Sequence, residues 1–337
     1  MSSTIEIKRQ NLDSIRTAIQ EQGVTTKAML SQLTGLSVAT CNNLLNEMFN
    51  AGELLSVDQE ASQGGRKALR YTYNKDYFHV LTLQIKSVEQ LGYVRYSVAD
   101  ALGQCVEEET LHPQNIDSGY LIDYLSLILR KEPLIRAVAV AVPGIVVNGE
   151  ITQCDIAALE GVKLQALLEE SLGVPVIVEN DMNFIAYGVY CDLGLEEQSL
   201  IVIDFPMNDP AGSGIVIDGK IYKGAHMFAG ELAYALSEGG IPRETQHASG
   251  MERGDLVQMV VKAVVMASCV LDPGKIVLMC ERLDEQTLEE VRTACKKYIT
   301  YGPVPSLSLR RDYYDCCSMG MNCAVLNSMR YNFQLIV

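Results

Sequence analysis

The chain has 337 residues, 48% of them apolar and 20% charged, with a formal net charge of −15. That composition suits a folded chain of about two or three domains with a sizeable core, and excludes a disordered or low-complexity protein. The acidic total excludes a protein that coats nucleic acid over its whole surface, yet residues 1–75 hold eight Lys and Arg against seven Asp and Glu. A near-neutral first segment on an acidic body fits a small DNA-binding module joined to a larger regulatory domain. Ten Cys are scattered without a Cys-x-x-Cys pair. No signal peptide is read at Met1, and no apolar run reaches membrane-spanning length. A reducing, cytoplasmic setting is therefore expected, with no membrane and with the Cys, Cys316 and Cys317 included, as small buried apolar residues.

In residues 1–75, Leu12, Ile15 and Ile19 recur at helical spacing between about Gln10 and Gln22, and Gly23 ends that helix. Thr25 or Thr26 caps a second, short helix carrying Ala28, Met29 and Leu33. Thr34-Gly35-Leu36-Ser37 makes a tight turn. Ser37 then caps a third helix to about Asn50, with Val38, Cys41, Leu44, Leu45 and Met48 inward. Two short helices about a Gly-containing turn predict a helix-turn-helix, with the third helix as its recognition helix. Ser37, Ala39, Thr40, Asn42 and Asn43 lie near that helix start. Such small polar residues read base edges: Asn pairs with adenine, and Thr packs its methyl on thymine. The alternative is a merely solvated face. Leu54–Val57 and Ala68–Tyr73 predict two strands about the loop Asp58–Lys67, which ends Gly64-Gly65-Arg66-Lys67. A hairpin carrying Arg66 and Lys67 beside a recognition helix is a wing suited to phosphate or the minor groove. Leu33 to Ser37 and Gly64 to Tyr71 together resemble the winged-helix domain of the ROK family of repressors and sugar kinases.

In residues 76–190, three apolar β-like runs (Tyr77–Ile85, Leu91–Val98 and Gly103–Val106) predict an antiparallel meander. A helix follows over Ile116–Arg130, then a buried strand over Ile135–Val142 that stops at Pro143-Gly144. Leu164, Leu167, Leu168 and Leu172 mark another helix. The run Val174–Val178 then ends at Glu179-Asn180-Asp181, where a helical pattern begins. Polar groups at the carboxyl end of a buried strand are where α/β sheets place ligands. Asn180 or Asp181 could equally cap the helix, and the two roles are compatible. Val142-Pro143-Gly144 and Glu179-Asn180-Asp181-Met182-Asn183 resemble the Pro-Gly loop and the Glu-Asn-Asp-Ala-Asn motif of the ROK family. The resemblance implies an actin-like, two-lobed fold, with Gly144 near the ligand, Asn180 and Asp181 binding sugar, and Asp181 at the position of the general base in family kinases. Gln84-Ile85-Lys86-Ser87-Val88-Glu89 stands where those kinases carry Asp-x-Gly-Gly-Thr around the nucleotide phosphates.

In residues 191–337, Ser199–Phe205 reads as a strand, and Gly212–Gly224 as a hairpin turning at Asp218-Gly219. The hairpin resembles the family's second glycine-rich loop, with Pro210 in place of its first glycine. Ala229-Gly230-Glu231-Leu232-Ala233-Tyr234 resembles the family's Gly-Glu-x-Gly-His. By that resemblance Glu231 contacts sugar, and Tyr234 takes the place of a His that is both sugar contact and zinc ligand. No Cys lies between Cys191 and Cys269, so the family's structural zinc is not expected. Helices are read over Asp255–Leu271, Leu288–Ile299 and Asp315–Tyr331, and a strand over Lys275–Met279. Asp272–Leu278 resembles the family's Asn-Pro-x-x-Ile-Val-Leu, but Met279-Cys280 replaces its Gly-Gly.

The fold expected is α/β: a winged helix-turn-helix (residues 1–75), then two lobes of an actin-like, sugar-kinase-like domain (76–190 and 191–337), the last helix packing back on the first lobe. The function expected is a DNA-binding transcriptional regulator, a repressor, without enzyme activity, metal or cofactor. Its ligand residues would be Gly144, Asn180, Asp181, Glu231 and Tyr234. Its DNA residues would be Ser37, Thr40, Asn42, Asn43, Arg66 and Lys67. The partners would be a palindromic double-stranded operator, a sugar effector and a second copy of the chain, in a homodimer or higher homo-oligomer. Two alternatives stay open: a sugar kinase with a fused DNA-binding domain, and a ligand-free DNA-binding protein that uses the body as a dimerisation scaffold.

Overall fold

The computed structural model describes residues 4–57, 69–88, 91–194, 199–237 and 247–332. The chain divides into two compact units, one of residues 1–79, 99–106 and 329–337, the other of residues 80–98 and 107–328.

The first unit is built from α1 (Thr4–Gln22), β1 (Thr25–Thr26), α2 (Lys27–Thr34), α3 (Val38–Asn50), β2 (Leu54–Val57) and β3 (Arg70–Tyr73). Helix α1 starts earlier than Gln10, since nothing in Thr4–Arg9 breaks a helix and Lys8 pairs with Glu47 at 2.8 Å. Thr26 caps α2 by accepting from the Met29 N–H, and Ser37 caps α3 by accepting from the Thr40 N–H. Between them Gly35 takes φ +70, a left-handed value that suits glycine. Ile15, Ile19, Leu30, Cys41, Leu45 and Tyr71 form the buried centre. Three apolar residues depart from expectation: Met29, Leu33 and Val38 are 40%, 52% and 59% exposed. Leu30 faces inward in place of the first two, because α2 is too short for its apolar positions to fix the phase. Strand β1 adds an unforeseen third strand, Thr25 pairing with Tyr71, and gives the sheet order β1-β3-β2.

Next come β4 (His79–Val88), β5 (Leu91–Asp100), β6 (Cys105–Leu111), α4 (Ser118–Lys131), β7 (Ile135–Val142), β8 (Gly144–Val147), β9 (Glu150–Cys154), α5 (Leu164–Leu172), β10 (Val176–Asn180) and α6 (Asp181–Asp192). They make a five-stranded sheet ordered β10-β7-β4-β5-β6. Leu81, Leu83, Val138, Val140 and Val178 on its apolar face pack against Leu121 and Leu125 of α4 and Leu164 and Leu168 of α5. The β8–β9 hairpin was not foreseen. It turns at Asn148-Gly149, both with positive φ, as a two-residue hairpin requires.

A second five-stranded sheet follows, ordered β13-β12-β11-β14-β15. It comprises β11 (Leu200–Asp204), β12 (Gly212–Ile217), β13 (Lys220–Ile221), β14 (Lys275–Met279) and β15 (Ser306–Arg310), with α7 (Leu232–Leu236), α8 (Arg253–Leu271), α9 (Glu285–Tyr298) and α10 (Tyr313–Asn332). The β12–β13 turn is at Asp218-Gly219, both again with positive φ. Strand β15 adds an edge strand to which no element was assigned from the sequence; its Ser-Leu alternation is short and its burial pattern places Leu307 inward.

Helix α8 overturns one reading: its 19 residues are long and apolar enough, by composition, to span a membrane. Leu256, Val260, Val261, Ala263, Val264 and Ala267 instead lie buried in the core of the second sheet. The cysteines also divide, for Cys105 and Cys269 are exposed whereas Cys316 and Cys317 are buried. Helices α6 and α10 cross where Gly188 meets Cys316 and Gly320 meets Phe184. A Cβ on either glycine would run into the partner helix's carbonyl oxygen.

Candidate functional site

Strand β10 runs parallel to β7 with Asn180 beside Val142, so Pro143-Gly144 and Asp181 leave the sheet side by side. Asn180 caps α6: its Oδ1 accepts from the Asn183 N–H at 3.2 Å, and its Nδ2 donates to the Gly144 carbonyl at 2.8 Å. One donor and one acceptor site of the amide stay available. Gly144 is confined by β9, since a Cβ there would clash with the Gln153 carbonyl. Capping thus falls to Asn180, which leaves Asp181 to face a cavity of about 190 Å³.

That cavity is lined by all five expected ligand residues, Gly144, Asn180, Asp181, Glu231 and Tyr234, and by Lys86, Asp204 and Tyr313. Its volume is below the roughly 300–1,000 Å³ of pockets for drug-sized ligands. Asp181 is buried. Its Oδ1 accepts from the Met182 N–H at 2.9 Å, and its Oδ2 accepts from the Tyr313 hydroxyl at 2.5 Å. Burial raises this carboxyl above the usual range, against the opposing pull of Lys86 and the Tyr313 hydrogen bond. Glu231 is raised as well, by burial and by the Asp181 charge. The loop before it is fixed by Ser213, which donates to the Gly230 carbonyl at 2.6 Å. Tyr234 sits at the rim, 37% exposed, with its ring 5.1 Å from that of Phe228.

Asp204, Lys86 and Tyr313 are among the lining residues that the sequence did not single out. Asp204 ends the buried strand β11, and burial pushes its carboxyl up to about 7, with Lys86 opposing and Asp181 adding to the rise. An acid closing an apolar strand was a usable signal. Lys86 was noticed only as part of a lost turn; its Nζ lies 3.6 Å from the Tyr313 ring centroid. Tyr313 comes from the far end of the chain, and no local pattern connects it to Asp181.

Strand β4 runs unbroken from His79 to Val88, and Glu89 lies outside the described residues. Asp209 and Pro210 line the cavity. Met279 and Cys280 are buried and fill space with side chains. Around the cavity, Asp155, Asp181, Asp204, Asp209 and Glu231 outnumber Lys86. Among the described residues no group of three or more His, Cys, Asp or Glu is placed to hold a metal ion.

In the first unit, Val38, Ala39 and Asn43 are exposed on α3, with Asn46 one turn on. The Ser37 and Thr40 hydroxyls are 2.9 Å apart and bonded to each other. Lys27 donates to the Asn42 side-chain oxygen. Asn46 belongs to the same face and was missed, because only the helix start was considered. Arg66 and Lys67 lie outside the described residues.

Residues 92–250 match the family described as ROK family. The chain is 22% identical over 237 residues to the xylose repressor of Bacillus spizizenii, covering 68% of this chain and 60% of that protein. It is 23% identical over 250 residues to the DNA-binding transcriptional dual regulator NagC of Escherichia coli K12, covering 69% and 58%. The chain thus spans about three fifths of the length of these relatives. Among solved structures, a ROK family transcriptional regulator described as a homolog of the E. coli MLC protein superposes with a TM-score of 0.67 at 16% identity, over 96% of this chain and 98% of that one. A ROK hexokinase from Thermus thermophilus superposes with a TM-score of 0.59 at 16% identity, over 75% of this chain and all of that one. The fold is accordingly the mixed α/β, actin-like fold of both, with helices at its amino end that are consistent with a DNA-binding domain.

Proposed function

The chain carries a ROK family domain, and from that premise we propose that it is a transcriptional repressor acting in the cytoplasm, whose cavity at Asp181 and Glu231 receives a sugar or sugar derivative without phosphorylating it. One observation carries this reading. The cavity joins Asn180, Asp181 and Glu231, and Asp155, Asp204 and Asp209 line it with them. Carboxylates and amides hold hydroxyls well, whereas a surplus of carboxylates repels a nucleotide triphosphate. Residues 1–75 would serve as the DNA module, with α3 in the major groove and Ser37, Thr40, Asn42 and Asn43 toward base edges. Arg66 and Lys67 would reach phosphate. A homodimer would place two such modules on a palindromic operator. A sugar that prefers one arrangement of the dimer would then shift DNA affinity by linkage.

The test is fluorescence anisotropy of the full chain on labelled DNA from upstream of its own gene, with D-xylose, D-glucose or N-acetyl-D-glucosamine added. One sugar should release the DNA. DNA binding that no sugar in the panel alters would favour the scaffold reading. A kinase reading has one observation in its favour, the buried Asp181 at the base position. Sugar phosphate formed above background from MgATP and the same panel would establish it.

A further inference from the structure

The carboxylate that a ligand would address is already engaged by this chain. Tyr313 donates to Asp181 Oδ2 at 2.5 Å, and the other carboxylate oxygen accepts from the Met182 N–H at 2.9 Å. The Tyr313 ring is held by Lys86, with Nζ 3.6 Å from its centroid, well inside the range of cation–π attraction. Its neighbour is tied down too, for the Tyr93 hydroxyl donates to the Tyr314 hydroxyl at 2.6 Å. The first turn of α10 is thereby fastened to β4, β5 and the start of α6. Tyr313 nonetheless lines the cavity beside Glu231 and Asp204, so its bond to Asp181 faces the space that a ligand would fill.

A phenol and a sugar hydroxyl offer Asp181 the same chemistry, one O–H donor to a buried carboxylate. We propose that Tyr313 is a built-in competitor for the ligand at Asp181, and that the site takes an uncharged polyol which binds by exchanging its own hydroxyl for that of Tyr313. This rests on the reading of the cavity as a sugar site. Exchange of one neutral donor for another leaves the charge of the site unchanged. An anionic ligand would instead meet Asp204, Asp209 and Glu231. The displaced Tyr313 frees the first turn of α10, and α10 crosses α6 in direct backbone contact at Gly188 and Gly320. Occupancy is thus passed to a helix pair that has no slack to absorb it.

The experiment is calorimetric titration of the full chain and its Tyr313→Phe variant with D-xylose, D-glucose, N-acetyl-D-glucosamine and D-glucose 6-phosphate. Phenylalanine keeps the ring under Lys86 and removes only the competing donor. A sugar that binds the parent should bind the variant about tenfold or more tightly, the worth of one hydrogen bond to a charged group. A sugar that binds only the variant supports the proposal as well. Equal or weaker binding by the variant overturns it and leaves the sugar site standing. If neither protein binds any of the sugars, the sugar site falls and the competitor with it. Glucose 6-phosphate binding more tightly than glucose would overturn the uncharged ligand. Should the variant not fold, amide hydrogen exchange of the parent decides: saturating sugar should speed exchange in residues 313–316, and unchanged exchange there overturns the proposal.

Discussion

Lys223 donates to Glu179 Oε2 at 2.8 Å, tying the segment after the β12–β13 hairpin to the end of β10. The other oxygen of Glu179 accepts from the Asn180 N–H at 2.8 Å and from Asn183 Nδ2 at 3.1 Å. One buried carboxylate thus holds the stretch that presents Asn180 and Asp181 and bridges to the other sheet. Lys223→Met would leave it one partner short, at a cost of about 1–3 kcal/mol. The lysine side chain is 32% exposed, so the low end applies. A melting temperature lowered by a few degrees, together with weaker sugar binding, is the expected outcome. Unchanged melting and unchanged binding would show that the bridge is incidental.

Arg16 and Glu53 form the buried counterpart in the first unit. Arg16 Nε donates to Glu53 Oε1 at 2.6 Å, a second guanidinium nitrogen donates to Oε2 at 3.2 Å, and the Tyr73 hydroxyl donates to Oε1 at 3.1 Å. The three groups join α1, the entry to β2 and the end of β3. Glu53→Ala would leave the buried guanidinium to its 3.1 Å pairing with Asp13, which places the cost near the low end of the about 3–5 kcal/mol typical of a broken buried pair. The transition of this unit in chemical denaturation should move to clearly lower denaturant. A shift smaller than that of a surface control such as Glu47→Ala would show that the ion pair contributes no more than an exposed one.

On the proposed DNA face, Asn43 and Asn46 are exposed, whereas Asn42 is engaged by Lys27. Asn43→Ala and Asn46→Ala are expected to alter sequence preference at one base pair each, by about 1–3 kcal/mol. Arg66→Ala with Lys67→Ala should instead weaken binding to all sequences and flatten its salt dependence. Binding to a randomised library at two salt concentrations separates these effects. Unaltered preference in both Asn variants would move the reading face elsewhere.

Much of the chain was legible because its signals are local. Ser37 before an apolar period marks the start of α3, Asp218-Gly219 marks a hairpin, and a β-branched run ending at Glu179-Asn180-Asp181 marks a strand that ends in polar groups. Asn148-Gly149 carried the same hairpin signal and was overlooked. The phase of α2 was not legible, since eight residues give too few turns to tell Leu30 from Met29 and Leu33. Tyr313 was out of reach for a different reason. It meets Asp181 from 132 positions away in sequence, and only the crossing of α6 and α10 brings the two together.

Asp204 lends the protein a pH dependence whose sign follows from burial. Its carboxyl moves from 3.8 to about 7, because desolvation outweighs the attraction of Lys86, with the charges of Asp181 and Asp209 adding to the rise. Below the unfolded value both states are protonated, and Asp204 contributes no penalty. Between about pH 4 and pH 7 the folded chain binds more protons at this site than the unfolded chain, so stability falls as pH rises. Above pH 7 the full penalty is present, at most about 4 kcal/mol from the size of the displacement. Asp204→Asn removes the ionisation and keeps the shape, while Lys86 loses a nearby counter-charge, which trims the gain. The variant should therefore melt higher than the parent at pH 8, and the two should converge toward pH 4. A difference that is constant across that range would mean that Asp204 titrates alike in the folded and unfolded chain, and one that grows on acidification would mean that folding lowers its carboxyl; either outcome overturns the raised value.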